Sequence, residues 1–383
     1  MTIINAKIYT MNDNDEIIEN GYVTVENGKI SSVGEGKPDN IQAENCFDAQ
    51  GMTVYPGFID AHTHLGLTAS GVGIEGEDLN EEFDPVTPQL RIIDGINPMD
   101  YSFAQARRSG VTSVFISPGS TNPIAGEIYA VKTNGIRIDK MIIKSVGMKF
   151  SMGENPKLTY MDKEQSPCTR MAVASIIREN LFKAKRYMED KERAEDDEDM
   201  PDFDIKSEAL IPLLKGEIKA HFHCHKANDI FTAVRIAKEF GLDYTLVHCT
   251  DGHLIAGELS EENCSAIVGP VICDRCKPEM ASLSPANAAV MTKYGIDAAI
   301  CTDHSEVPIE YLPISVGICI KNGLSFYDGI KAVTKIPAKI GGIFDRAGSI
   351  ESGKDGDMVL FKSNPFEVMS SPEKVMINGE FIW

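Results

Sequence analysis

Apolar runs of strand length alternate with amphipathic stretches of helical length through the middle of the chain. Val111–Ser117 is apolar and β-branched, and the preceding run Pro98–Arg108 has a helical pattern that ends near Gly110. The alternation continues with strands at Lys219–His225, Asp243–His248, Ala266–Val271 and Asp297–Thr302, and with helices at Asp229–Phe240 and Pro285–Lys293. This α/β order predicts a parallel sheet, most simply a (β/α)8 TIM-type barrel. An open doubly wound sheet is the alternative, but no Gly-x-Gly-x-x-Gly follows a strand.

Both ends of the chain carry a different pattern, with short strands separated by turns. Gly21–Glu26 and Lys29–Val33 flank Asn27-Gly28, which is a hairpin signal. Strands and turns return at Gly348–Phe361 and at Lys374–Ile382. Neither end can bury much apolar surface alone, so we expect residues 1–52 and 346–383 to form one small, discontinuous β-sandwich domain. Residues 53–345 then form the barrel.

Composition and charge narrow the classes of function. The 383 residues fit one barrel of about 250 residues plus a smaller domain. The formal net charge of −20 would repel phosphates, so no nucleic-acid partner is expected. No run is long and apolar enough to span a membrane, and the N-terminus lacks the features of a signal peptide, so we expect a cytoplasmic protein. The nine cysteines, mostly in apolar segments, indicate reduced thiols rather than disulfides.

Candidate chemistry begins where the apolar run Val54–Ile59 leads into Asp60-Ala61-His62-Thr63-His64. Residues i and i+2 of a strand point to the same face, so His62 and His64 aim at the same space where the strand stops. Two imidazole nitrogens at a strand end form half of a site for Zn²⁺ or a similar divalent ion.

Three further strand ends carry side chains of the metal-binding type. They are His221, His223 and His225 at a period of two in Lys219–His225, His248 at the end of Tyr244–His248, and Asp303 just after Asp297–Thr302. The carboxyl ends of barrel strands form one face, and active sites of this fold lie there. We therefore expect one or two divalent metal ions, with zinc as the first choice.

With these motifs the sequence resembles the amidohydrolase superfamily of metal-dependent hydrolases over nearly the whole chain. The run from Pro56 to His64 resembles the family's first-strand motif, and Gly348–Asp357 resembles the segment that re-enters the β-module formed by both chain ends. Within the superfamily the chain is most similar to the imidazolonepropionase-related amidohydrolases. The resemblance implies that the metal ligands are His62, His64, His223, His248 and Asp303.

The fourth barrel strand decides between one metal ion and two. Many superfamily members carry there a lysine that CO₂ carboxylates and that bridges two ions, and Lys149 in Gly147–Pro156 resembles it. The carbamate would add the negative charge that a second dication needs. Other members use a glutamate, so Glu154 stays open as the alternative ligand, with Lys149 preferred. Imidazolonepropionases themselves bind a single ion without this lysine.

The resemblance also implies roles in catalysis. A divalent ion lowers the pKa of bound water to about 7. Asp303, whose ordinary pKa is about 3.9, accepts the proton and returns it to the departing nitrogen. One strand cannot direct three histidines at one ion, because alternate residues lie about 6.6 Å apart. We expect His223 to bind metal, His225 to meet substrate or brace Asp303, and His221 to lie deeper in the core.

The expected substrate is a small polar molecule with a hydrolysable C–N bond, either a cyclic amide or related ring, or an N-acyl or dipeptide-like compound. Arg170, Asn228 and Lys157 follow predicted barrel strands and could bind a substrate carboxylate, Arg170 in a bidentate manner. Metallodipeptidase chemistry is the alternative within the superfamily, and a non-catalytic scaffold of the same fold is the alternative from another class. The sequence leaves a homo-oligomer open.

Overall fold

The computed structural model describes residues 1–38, 45–69 and 73–383, and within them the strands form two separate sheets. In chain order the strands are β1 Thr2–Tyr9, β2 Ile17–Glu26, β3 Lys29–Glu35, β4 Cys46–Asp48, β5 Thr53–Pro56, β6 Phe58–Thr63, β7 Val111–Ile116, β8 Ile124–Lys132, β9 Ile142–Ser151, β10 Lys219–Cys224, β11 Tyr244–His248, β12 Ser265–Val268, β13 Asp297–Ile300, β14 Met358–Phe361, β15 Lys374–Ile377 and β16 Glu380–Phe381. The middle of the chain forms one sheet and both ends form the other, as predicted.

Ten α-helices lie within the described residues, all between β6 and β14. They are α1 Tyr101–Arg108, α2 Glu154–Met161, α3 Arg170–Arg193, α4 Ile205–Leu214, α5 Ala227–Phe240, α6 Ala256–Ser260, α7 Asn287–Lys293, α8 Leu312–Lys321, α9 Phe326–Ala332 and α10 Lys335–Ile340. The end of α5 follows the sequence signal, because Gly241 adopts the left-handed conformation that stops a helix. None of these helices combines the length and apolarity that crossing a membrane requires.

The barrel sheet takes its strands in chain order from β6 to β13. Neighbouring strands run parallel except at β8, which is antiparallel to both β7 and β9. The links at 117–123 and 133–141 contain no α-helix, and strands joined without a helical crossover pair in antiparallel fashion. The prediction of parallel strands is therefore wrong for β8, while the barrel itself is confirmed.

Hydrogen bonds near the ends of β6 and β13 connect the first and last strands of the barrel sheet. Thr302 donates its N–H and its hydroxyl to the Asp60 carboxylate at 3.2 and 2.5 Å, and the Asp303 N–H donates to the His62 carbonyl at 3.1 Å. Asp60 is fully buried, and burial raises its pKa to about 7. Asp60 therefore holds the strand end that carries His62 against the one that carries Asp303.

An apolar cluster fills the inside of the barrel. Phe115 of β7 and Val247 of β11 belong to it although these strands are not neighbours in the sheet, so they can meet only through the interior. Ile336 and Ala338 of α10 join the same cluster. Burial of such side chains is the main favourable term in folding, and it leaves the carboxyl ends of the strands for polar residues.

The sheet of the chain ends runs in the order β16-β15-β14-β5-β1-β2-β3, with β4 pairing β1. The β2–β3 hairpin predicted from Asn27-Gly28 is confirmed, and both residues have positive φ angles of 50° and 80°. Antiparallel pairing of β5 with β14 joins the two ends of the chain. Residues 39–44 of the range 1–52 lie outside the described residues, and the exact domain limits stay a prediction.

A buried ion cluster links the barrel to the segment that leads into β14. Lys132 on β8 lies 2.8 Å from Asp355 and also pairs with Asp357. Asp355 in turn lies 2.5 Å from Lys29 and 3.0 Å from Arg346. Lys132, Asp355 and Asp357 are each at most 5% exposed, so every charge here depends on its partners.

Candidate metal centre

The carboxyl ends of five barrel strands bring the predicted metal and catalytic residues together. The side chains that meet there are His62, His64, Lys149, His223, His225, His248 and Asp303. The histidines and the lysine are all at most 9% exposed, and the Asp303 side chain is 13% exposed. Polar groups this deeply buried require partners, and a barrel mouth is where functional groups of this fold collect.

Two of these residues lie at sharp bends of the backbone. His248 has a φ of 69° and Asp303 a φ of 54°, in the left-handed region that residues other than glycine rarely adopt. Each bend comes where its strand stops. Such conformations cost about 1–3 kcal/mol each and persist at functional sites, where the surrounding structure holds them.

His62, His64 and Asp303 form the first group. Asp303 Oδ1 lies 3.5 Å from His62 Nε2 and 3.2 Å from His64 Nε2. His64 Nδ1 is 2.7 Å from the Ser117 carbonyl and donates its hydrogen to it, which directs Nε2 at the carboxylate. Two ligand atoms at zinc distances from one tetrahedral ion would be about 3.3 Å apart. The spacing found here matches that value.

His223, His225 and His248 form a second group, whose ligand atoms lie within 4.8 Å of one another. His248 Nδ1 lies 2.7 Å from the Gly269 carbonyl, and His225 Nδ1 lies 2.8 Å from Thr250 Oγ1. These bonds leave Nε2 of both rings available to a metal ion or a ligand. Among the described residues, neither ring nitrogen of His223 has a hydrogen-bond partner. Buried polar atoms without partners are rare in proteins, and a bound cation is one way to satisfy them.

Burial and neighbouring side chains set the protonation states of His62, of Asp303 and of the second group. It lowers the pKa of His62, His223 and His225 well below the ordinary value and that of His248 to about 4, so these rings are neutral at pH 7. Burial raises the pKa of Asp303, but His248 and His64 lower it by more, and the net pKa lies well below its usual range. Neutral imidazoles beside an ionised carboxylate are the forms that bind divalent metal ions.

A cavity of about 360 Å³ opens onto both groups. His64, His223, His225, His248 and Asp303 form part of its wall. The volume lies at the lower end of the range for small-molecule sites.

Comparison with known proteins gives the family. A model of the amidohydrolase family matches residues 265–383. The crystal structure of an amidohydrolase from Thermotoga maritima MSB8 superposes with a TM-score of 0.95 at 38% sequence identity, covering 100% of this chain and 99% of that chain. The chain belongs to the amidohydrolase family.

Two other relatives match the chain over only part of their own length. Amidohydrolase tasK of Hapsidospora irregularis is 28% identical over 390 residues, which is 94% of this chain and 39% of tasK. A 5-methylthioadenosine/S-adenosylhomocysteine deaminase of Bacillus thuringiensis (strain Al Hakam) is 40% identical over 74 residues, which is 19% of this chain and 17% of the deaminase. This chain therefore spans 39% of the length of tasK. The imidazolonepropionase-related branch stays a prediction.

Lys149 lies on β9 with its side chain fully buried. Its Nζ is 3.3 Å from His62 Nε2, and burial lowers its pKa to about 8. Glu154, the alternative fourth-strand ligand, begins α2 and belongs to neither group of metal-binding side chains. The Glu154 backbone N–H instead donates to Glu279 Oε2 at 3.0 Å. The geometry favours Lys149 over Glu154.

Glu279 is a buried acid that lies beside the histidines, and the sequence analysis did not predict it. Its Oε1 lies 3.6 Å from His225 Nε2 and 4.0 Å from His223 Nε2, and Lys277 Nζ is 2.8 Å from the same oxygen. Gly153 gives Glu279 its space, because a Cβ at that position would lie 2.7 Å from Glu279 Oε2. Lys277 and Glu279 follow β12, and charged residues after a barrel strand are the sequence signal that could reveal them.

The three residues predicted to bind substrate lie outside the wall of this cavity. Arg170 Nε is 3.0 Å from both oxygens of the buried Asp229, so its charge is already paired. Asn228 is exposed near the start of α5, and Lys157 lies half-buried on α2. None of the three is among the residues of the described chain that line the cavity. The geometry therefore does not support Arg170, Asn228 or Lys157 as substrate ligands.

Proposed function

We propose that this amidohydrolase hydrolyses a C–N bond in a small polar molecule with a divalent metal ion at the strand ends. The observation that carries the proposal is the buried donor set in which His62 Nε2 and His64 Nε2 face Asp303 Oδ1 at 3.5 and 3.2 Å. Ring nitrogens that face an ionised carboxylate oxygen can share a cation with it, so the residues fit a metal. His62, His64 and Asp303 would hold one ion, and His223 and His248 a second, with zinc as the expected metal.

A divalent ion in this place would supply a Lewis acid and lower the pKa of water to about 7. Asp303 is the residue that moves the proton in this proposal. Because Asp303 Oδ1 faces His62 and His64, Oδ2 is the oxygen left to accept a proton from water and return it to the departing nitrogen. His225 is fixed through Nδ1 by Thr250, and its open Nε2 would hydrogen-bond the substrate.

We further propose that Lys149 carries CO₂ as a carbamate when two metal ions are bound. Within the described residues the buried Lys149 amine forms no ion pair, and its Nζ lies 3.3 Å from His62 Nε2. A free ammonium 4 Å from a single unit charge of like sign costs about 4 kcal/mol at an effective dielectric of 20, and a dication costs more. The carbamate replaces that positive charge with a negative one.

The size of the cavity supports a small substrate. A volume of about 360 Å³ suits a cyclic amide or related ring, or an N-acyl or dipeptide-like compound. Metallodipeptidase chemistry uses the same groups and remains the alternative. A non-catalytic scaffold is disfavoured, because such a protein has no need to keep several histidines and an ionised carboxylate together in its interior.

The test combines metal analysis with a turnover screen of N-acyl amino acids, dipeptides, cyclic amides and cyclic ureides. We expect at least one divalent ion per chain and hydrolysis of one class, with loss of both in a His62→Ala, His64→Ala double variant. The matched control is His253→Ala, because His253 lies in neither group. A protein from metal-supplemented medium that binds no ion, or a metal-loaded protein that hydrolyses nothing in the screen, contradicts the proposal.

A further inference from the structure

Lys277 is the one lysine or arginine among the described residues that line the cavity over the histidines. It shares this wall with Asp303, His225 and His248. Its side chain is 23% exposed, in contrast to Glu279, which is 1% exposed. A positive charge thus faces the cavity beside the groups proposed to carry out hydrolysis.

Two contacts hold the Lys277 ammonium in place. Nζ lies 2.8 Å from Glu279 Oε1 and 3.0 Å from Asn155 Oδ1. An ammonium has three donor hydrogens, so one remains for a ligand. Glu279 is itself fixed by the Glu154 N–H, which keeps the lysine from swinging away with its counter-ion.

The same wall continues as a directed chain of hydrogen bonds. Lys277 donates to Asn155 Oδ1, and Asn155 Nδ2 donates to Ser120 Oγ at 2.6 Å. Because the Ser120 oxygen accepts this bond, its own hydrogen is free to be donated. Lys277, Asn155 and Ser120 all line the cavity. The wall therefore offers hydrogen-bond donors and a positive charge, which is the chemistry that recognises a carboxylate.

We propose that Lys277, Asn155 and Ser120 form a subsite for a carboxylate of the substrate. The substrate class is then a small acid whose carboxylate lies near the scissile C–N bond, as in N-acyl amino acids and dipeptides. This inference rests on the proposed function, since it names the substrate of the same cavity. The competing account is that Lys277 serves only as the counter-ion of Glu279, and it predicts no preference for acids.

The test measures equilibrium binding, so that it does not depend on turnover. The probes are N-acetyl-L-amino acids and their primary amides, titrated calorimetrically into metal-loaded Asp303→Asn protein. We expect the best acid to bind about 10-fold or more tightly than its amide, because a hydrogen bond to a charged group contributes that much. Lys277→Met in the same background should reduce the preference to about 3-fold or less, and Lys277→Arg should retain most of it.

The exposed Lys293 on α7 provides the matched control, since Lys293→Met removes the same charge away from the cavity. Metal content and melting temperature are measured for every variant.

If Lys277→Met does not fold, Ser120→Ala replaces it, because that change leaves the Lys277–Glu279 pair intact and should still weaken the preference about 3-fold. Three outcomes would each overturn the subsite. They are equal binding of acids and amides, no binding of any acid at about 10 mM, and an unchanged preference in the subsite variant that is used. Loss of the proposed function would appear separately, as absent metal or absent turnover in the wild-type protein.

Discussion

In the proposed metal centre the state of Lys149 would decide between one ion and two, and the burial of Lys149 sets the magnitude to test. Burial lowers the pKa of Lys149 from 10.5 to about 8. At pH 7 about a tenth of such amines are neutral, against roughly one in 3000 for an exposed lysine, a gain of about 300-fold. Only the neutral amine reacts with CO₂. Carboxylation should therefore become easier as the pH rises towards 8, and bicarbonate in the buffer should promote it.

The perturbation is Lys149→Met, which keeps the apolar stem and removes the amine. We expect metal content to fall from two ions towards one or none, and ¹³C-bicarbonate should give a carbamate carbon signal in wild type that the variant lacks. Lys149→Ala with added short carboxylic acids should regain part of the activity. Lys144→Met is the control, because Lys144 is exposed on the same strand. Full metal content in Lys149→Met with loss of metal in Glu154→Gln would refute the reasoning and identify Glu154 as the ligand.

Three further predictions follow from the same contacts. Asp303→Asn should lower kcat by at least about 100-fold at saturating metal, because an amide cannot shuttle the proton; near-normal turnover would remove Asp303 from that role. Chelation should lower the melting temperature and added zinc should restore it, since metal at about 1000 times its Kd adds about 4 kcal/mol to the free energy of unfolding; an unchanged melting temperature would contradict a metal bound at the strand ends. Lys132→Met should reduce the free energy of unfolding by about 3–5 kcal/mol, measured by urea titration, because Asp355 and Asp357 stay buried without it; a loss below about 1 kcal/mol would show that the cluster tolerates an uncompensated charge.

Local sequence patterns were sufficient for most of the fold. The alternation of strands and helices predicted the barrel, and Asn27-Gly28 predicted the β2–β3 hairpin, because turn chemistry and hydrophobic period act within a few residues. The direction of β8 was missed although the sequence carries its signal. The link at 117–123 is too short for the crossover of about a dozen or more residues that parallel neighbours need, so it indicates antiparallel pairing.

The strand-end residues were predictable for a geometric reason. Strand ends carry all four of the residues His62, His223, His248 and Asp303. The carboxyl ends of parallel barrel strands lie on one face, independently of the conformation of the loops. The contact of Arg170 was not predictable because its partner Asp229 is 59 positions away in the chain, and only the folded structure shows that the pair is formed. Glu279 was missed for the same reason, since its contacts to Glu154 and His225 join separate loops.

The placement of charge across the cavity ties these residues to one orientation of substrate. Asp303 and the neutral imidazoles lie at the strand ends, whereas Lys277 belongs to the loop after β12 and is held by Glu279 and Asn155. A molecule with a carboxylate at Lys277 would present its neighbouring C–N bond towards Asp303. The reverse orientation would place the carboxylate beside Asp303, where like charges repel. The pairing with Glu279 therefore fixes the position of the Lys277 ammonium, and a lysine without Glu279 would have no fixed position from which to select an orientation.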